Sequence, residues 1–138
     1  MSPLTEDELD LVRSSFRELS LATAEGAACF YDRLFTLAPR VRALFPADME
    51  QQGAKLMSML GIVVAQLHEL AALRPLLDDL ARRHRGYGAR PEHYALVGEA
   101  LLWTLERRLG AAFTPAHAAA WRRAYLALSE AMLDGAAV

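Results

Sequence analysis

The sequence contains a single cysteine, Cys29, in 138 residues. No intrachain disulfide can form, which excludes the stapled architecture of small secreted domains. β-branched residues are scarce, with Ile62 the one isoleucine, so the composition favours helices over strands. A broad basic field is missing too. The 15 Lys and Arg are outnumbered by 17 Asp and Glu, for a net charge of −2, and the basic clusters Arg82-Arg83-His84-Arg85 and Arg122-Arg123 are local. Neither nucleic acid nor an anionic membrane surface is an expected partner. The N-terminal Met1-Ser2-Pro3-Leu4-Thr5-Glu6-Asp7-Glu8 is acidic and has no apolar signal core. The longest apolar stretch, residues 56–67, is too short to span a bilayer. A soluble, cytoplasmic chain is the expectation. Several chemistries lose their motifs as well. No Gly-rich phosphate loop, Cys-x-x-Cys, His-Glu-x-x-His or Gly-x-Ser-x-Gly occurs, so nucleotide enzymes, zinc proteases and ordinary serine hydrolases are poorly supported.

What is present is helical periodicity from end to end. Thr5 and Glu8 form a capping-box pattern, followed by an apolar stripe of Leu9, Val12, Phe16 and Leu19. A second helix is predicted over residues 22–37, with Ala27, Tyr31, Leu34 and Phe35 inward. Pro39 ends it, and residues 40–45 read as a short helical turn closing on Phe45. A long helix is then predicted from about 48 to 70, its inward stripe being Leu56, Met59, Leu60, Val63 and Leu67. Leu73, Leu76, Leu77, Leu80 and His84 continue on another helix, which Gly86 and Gly88 stop. Pro91 opens the next, with Tyr94, Val97, Leu101, Leu102 and Leu105 buried and Gly110 at its end. Thr114-Pro115 starts the last, with Trp121, Tyr125, Leu128 and Met132 inward. With no repeat, linker or low-complexity segment, residues 1–138 are expected to form one all-α domain of six or seven helices.

Polar side chains on apolar stripes are the candidates for chemistry. His84 lies one turn beyond Leu80, so its imidazole is expected inward. A core histidine bonded to a carbonyl and a metal ligand both fit that position. Tyr31 sits within the stripe of the second helix, where its hydroxyl needs either a backbone carbonyl or a ligand. Gln52, one turn before Leu56, carries an amide to the inward face, as an internal hydrogen-bond partner or as a simple first-turn cap. His68, His93 and His117 are expected to be exposed.

In their order along the chain these residues resemble the globin family. The likeness rests on Phe30-Tyr31-Asp32-Arg33-Leu34-Phe35, on segment 39–45, on Leu80-Ala81-Arg82-Arg83-His84, on the YALVGEALL run at 94–102, and on Phe113-Thr114-Pro115 leading to Ala120-Trp121. It is similar to bacterial single-domain globins, flavohaemoglobin haem domains and neuroglobin. The resemblance implies a three-on-three helical sandwich around haem b, with His84 as the iron ligand and Phe45 as the aromatic wedged on the haem face. It further implies Tyr31, Gln52 and Leu56 on the ligand side, Lys55 near a propionate, and Leu80, Arg83, Tyr87, Tyr94 and Val97 as cofactor contacts. One departure stands out. Flavohaemoglobins carry a glutamate near the end of the last helix that bonds the proximal histidine, and counting from Trp121 that position is Ala136, with Asp134 and Glu130 nearby.

The function this implies is reversible binding of O2, and of NO and CO, without membrane or nucleic-acid partners, by a monomer or weak homodimer. The enzymatic alternative is NO dioxygenation, with Tyr31 and Gln52 as its catalytic residues. No NAD(P)H or flavin motif lies in these residues, so that activity would draw on a separate reductase. A gas sensor is the third reading.

Overall fold

The computed structural model describes the backbone from Leu4 to Ala136 and side chains through Leu133. Its six α-helices are α1 (Glu6–Leu19), α2 (Thr23–Leu37), α3 (Glu50–Ala65), α4 (Leu70–Gly86), α5 (Pro91–Leu109) and α6 (Pro115–Ala136). Short 3-10 turns at Ser20–Ala22, Pro39–Leu44, Leu67–Glu69 and Gly110–Ala112 join them. No single helix among the described residues is long and apolar enough to cross a membrane; α3 with the segment Leu67–Gly86 has the composition only as a pair bent by 61°.

α1 begins as its sequence dictates. The Thr5 side chain accepts from the Glu8 N–H at 3.1 Å while Glu8 Oε1 accepts from the Thr5 N–H at 2.9 Å. Two orphan donors of the first turn are thereby satisfied reciprocally. Thr5→Ala is expected to cost about 1 kcal/mol, readable as a lower urea midpoint at unchanged slope. Leu9, Val12, Phe16 and Leu19 are buried as their spacing requires.

The strongest packings pair α4 with α6, α2 with α5, α1 with α6 and α2 with α3. Ser15 and Trp121 tie α1 to α6 inside the core, the indole N–H donating to Ser15 Oγ at 2.8 Å, while Glu8 and Arg123 meet at the rim at 3.3 Å. The α2–α3 crossing is tight: a β-carbon added at Gly53 would lie 2.9 Å from that of Ala27. Only glycine lets the two backbones approach this closely.

The long helix expected over 48–70 is in fact broken. α3 stops at Ala65, Gln66 leaves helical geometry (φ −108°, ψ 13°), and the 3-10 turn Leu67–Glu69 leads into α4. Neither glycine nor proline marks the break. Leu67, 1% exposed, is drawn into the core at the bend, so tertiary packing sets it rather than local propensity. α4 then runs through Pro75 and ends around Gly86 as expected.

Candidate haem site

The inward stripe of α3 does not all enter the core. Met57, Val63 and Val64 are buried, while Leu56, Met59 and Leu60 are half-buried. The latter three, with Leu80, Val97 and Leu101, line a cleft enclosing about 1020 Å3 including its open mouth, walled by α3, α4, α5 and α6. Its wall is almost wholly apolar, the character expected for a large hydrophobic ligand.

His84 stands on this wall. It is exposed to the cleft rather than enclosed by side chains, so of the two readings of its position the enclosed core histidine is the one that does not fit. Its Nδ1 lies 2.6 Å from the Leu80 carbonyl. Since a carbonyl only accepts, Nδ1 carries the proton and Nε2 is left with a lone pair. Tyr94 and Tyr87 flank the ring at centroid distances of 6.5 and 6.4 Å. Tyr94 shares the cleft with His84, whereas Tyr87 is 62% exposed and lies off its wall. Burial raises the Tyr94 phenol above its ordinary pKa, against a smaller lowering by the Arg85 charge.

On the other side, α2 and α3 bring Tyr31 and Gln52 together. Gln52 Nε2 donates to Tyr31 Oη at 3.3 Å, which leaves the phenol proton for a further acceptor. Tyr31 is buried in an aromatic cluster, edge-on to Phe30 at 4.9 Å and to Phe45 at 5.3 Å and stacked on Phe35 at 5.8 Å. Burial pushes its hydroxyl above the usual phenol range, outweighing the Gln52 bond, so it stays a donor at neutral pH. Tyr31, Gln52 and Phe45 lie beside the cleft rather than on its wall. Leu56, one turn beyond Gln52, links the two regions.

Arg42, which no sequence pattern singled out, fastens the connection carrying Phe45. Its guanidinium donates to the carbonyls of Pro46 at 2.9 Å and Ala47 at 3.2 Å and lies 5.3 Å from the Phe35 ring. Tyr125 was read only as a core residue. Its ring lies across Gly98, where an added β-carbon would come within 2.7 Å, and its hydroxyl donates to the Tyr94 carbonyl. It thus seats the first turns of α5 against α6.

Not every expected contact reaches the cleft. Lys55 is exposed on α3, and Arg83 is paired with Asp79 on its own helix. Glu130 opens onto a separate shallow groove between α4 and α6. The side chains of Asp134 and Ala136 lie outside the described residues. Among the histidines expected to be exposed, His68 is, taking a hydrogen bond from Arg13 at 2.9 Å. His93 and His117 are half-buried, and His93 lines the cleft.

The geometry suits a haem. Among the described residues no group of three His, Cys, Asp or Glu converges, so a bare ion has no protein cage. The His84 imidazole, with its Nε2 lone pair free on an apolar wall, instead matches a metal already held by a flat macrocycle.

The globin family model matches residues 28–132. A flavohemoprotein of Vibrio cholerae serotype O1 is 28% identical over 134 residues, spanning 95% of this chain and 34% of that protein. The chain thus covers about a third of the flavohemoprotein's length. Neuroglobin of Tetraodon nigroviridis is 28% identical over 149 residues, covering 98% of this chain and 94% of its own. Among solved structures, an engineered carbene transferase from Rhodothermus marinus, a candidate nitric oxide dioxygenase, superposes with a TM-score of 0.85 at 29% identity, over 97% of this chain and 94% of that one. This chain belongs to the globin family of gas-binding haem proteins.

Proposed function

We propose that this globin binds O2 reversibly at haem b, with His84 as the protein ligand to iron and Tyr31 and Gln52 as donors to the bound gas. The observation that carries the reading is the Leu80 carbonyl at His84 Nδ1, which fixes the tautomer and aims the Nε2 lone pair away from the helix backbone. The haem supplies the affinity for diatomic gases. The chain's own residues do the rest. Leu56, Leu60, Val97 and Leu101, which line the cleft, would exclude water from a bound macrocycle. Phe45, held by the Arg42 staple and the rings of Tyr31 and Phe35, would support the bound group from the 39–45 segment. Tyr31 holds its proton and, bonded by Gln52, is positioned to donate it as a hydrogen bond to a ligand carrying partial negative charge.

A hydrogen bond to such a ligand contributes about 1.5–3 kcal/mol. Tyr31→Phe is therefore expected to raise the O2 dissociation rate by about one to two decades, measured by stopped-flow displacement with CO. An unchanged rate would remove Tyr31 from the distal role.

NO dioxygenation is a second reading, favoured by the same Tyr31–Gln52 pair and by the likeness to a candidate nitric oxide dioxygenase. It requires a source of electrons to restore the ferrous haem, and catalytic NO consumption in the presence of a flavin reductase with NADH tests it. We read residues 1–138 as one globin domain, a monomer or weak homodimer in the cytoplasm.

A further inference from the structure

Most polar atoms on the cleft wall are already satisfied. Tyr125 donates to the Tyr94 carbonyl, Trp121 to Ser15, and Ser129 to the Leu126 carbonyl, while His84 Nδ1 is held by Leu80. Three polar groups on the wall have no hydrogen-bond partner among the described residues: Nε2 of His84, Nε2 of His93 and the Tyr94 hydroxyl. The first is a lone pair. The other two belong to neighbouring residues in the first turn of α5.

His93 is the third residue of that helix, and its Nδ1 accepts the Arg90 N–H at 3.0 Å. A neutral imidazole accepting at Nδ1 carries its proton on Nε2. The cap thus turns His93 into a donor. Capping does not by itself place a ring in the cleft. His117 caps α6 in the same way, accepting the Thr114 N–H at 3.1 Å, yet its ring rests 5.7 Å from Phe113 and lines no part of the cleft.

Haem b carries two carboxylates on one edge, and burying a carboxylate rim without donors is costly. The basic residues that the globin resemblance assigned near the cofactor, Lys55 and Arg83, are not among the side chains lining the cleft. We propose that His93 is a positioning residue for the haem, its Nε2–H and the adjacent Tyr94 hydroxyl together taking a propionate carboxylate. This rests on reading the cleft as the haem site.

The test compares wild type, His93→Leu, His93→Gln and His117→Leu, each loaded with haem and, separately, with haem dimethyl ester, whose propionates carry no charge. Cofactor loss to excess scavenger apomyoglobin is followed at the Soret band. With haem, His93→Leu should lose cofactor about tenfold faster than wild type, the size of one bond to a charged acceptor. His93→Gln, which keeps a donor, should recover most of that difference, and His117→Leu, which loses only a cap, should match wild type. With the dimethyl ester, His93→Leu and wild type should lose cofactor at the same rate. Equal acceleration with both cofactors would mean packing or capping alone, and no acceleration with either would mean no contact; each overturns the proposal. A wild type that takes up no haem overturns this proposal and the haem reading together, whereas a wild type with a Soret band beside an unaffected His93→Leu overturns this one alone.

Discussion

His84→Ala is expected to abolish stable haem retention while leaving the unfolding midpoint of the apoprotein nearly unchanged. The two halves of that result come from one placement. The ring faces the cleft, is exposed to it, and has as its hydrogen-bond partner the Leu80 carbonyl one turn back in its own helix. Removing it opens no core cavity and strands no buried group, so it behaves thermodynamically like a surface change. In its proposed role as the iron ligand its loss is another matter. Substitutions that merely disturb a ligand's hydrogen-bond partner weaken metal binding about 10–100-fold, so deleting the ligand should exceed about 100-fold. Cofactor loss rates and a urea titration of the apoprotein read the two effects separately, and added free imidazole should restore part of the haem spectrum. A variant that keeps its Soret band unaltered would mean that some other residue holds the iron.

Trp121→Ala should do the reverse, destabilising the fold first and the site only as a result. Trp121 is 4% exposed, lines the cleft from behind and bonds Ser15 across the α1–α6 contact. Truncating it removes the largest side chain at that junction, and comparable aromatic-to-alanine changes cost about 3–5 kcal/mol. Trp121→Phe retains most of the ring and gives up the N–H donor, for about 1 kcal/mol. Ser15 stays satisfied, since its hydroxyl donates to the Leu11 carbonyl at 2.6 Å. Thermal unfolding of the apoproteins should rank wild type, Phe and Ala in that order with a gap between the last two. Equal losses would place the stabilisation in the hydrogen bond instead of the packed area.

The sequence carried a good deal of this architecture, unevenly. The α1 stripe and its cap were legible because both are local: a period near 3.6 and a Thr three residues before a Glu. The stripe of α3 was legible as a stripe, but Leu56, Met59 and Leu60 face a cleft while Met57 fills the core. Periodicity reports which residues avoid water and is blind to whether a neighbour or a cofactor covers them. The break at Gln66 left no mark for the same reason, being made by where Leu67 packs. In the sequence His93 has the look of a surface residue, a histidine beside Glu92 in a first turn. Its cap was readable in principle, as a third-position side chain able to accept from the N-cap amide. The direction of its ring was not, since that depends on how packing on α2, α1 and α6 sets α5 across the cleft from α3 and α4. Tyr31 and Gln52 could each be placed on an inward face, but their hydrogen bond joins residues 21 apart and required the α2–α3 crossing angle.

That crossing also restricts how the protein can change. With no room for a β-carbon between Gly53 and Ala27, the helices bearing Tyr31 and Gln52 are locked at one spacing, and the distance between the phenol and the amide is inherited from the backbone. With Tyr31, Gln52 and Leu56 in the distal role proposed above, divergence or engineering of gas preference would be channelled into side-chain exchange at positions 31, 52 and 56. Residue 53 acts as a fixed spacer, and a larger residue there would splay Tyr31 and Gln52 apart.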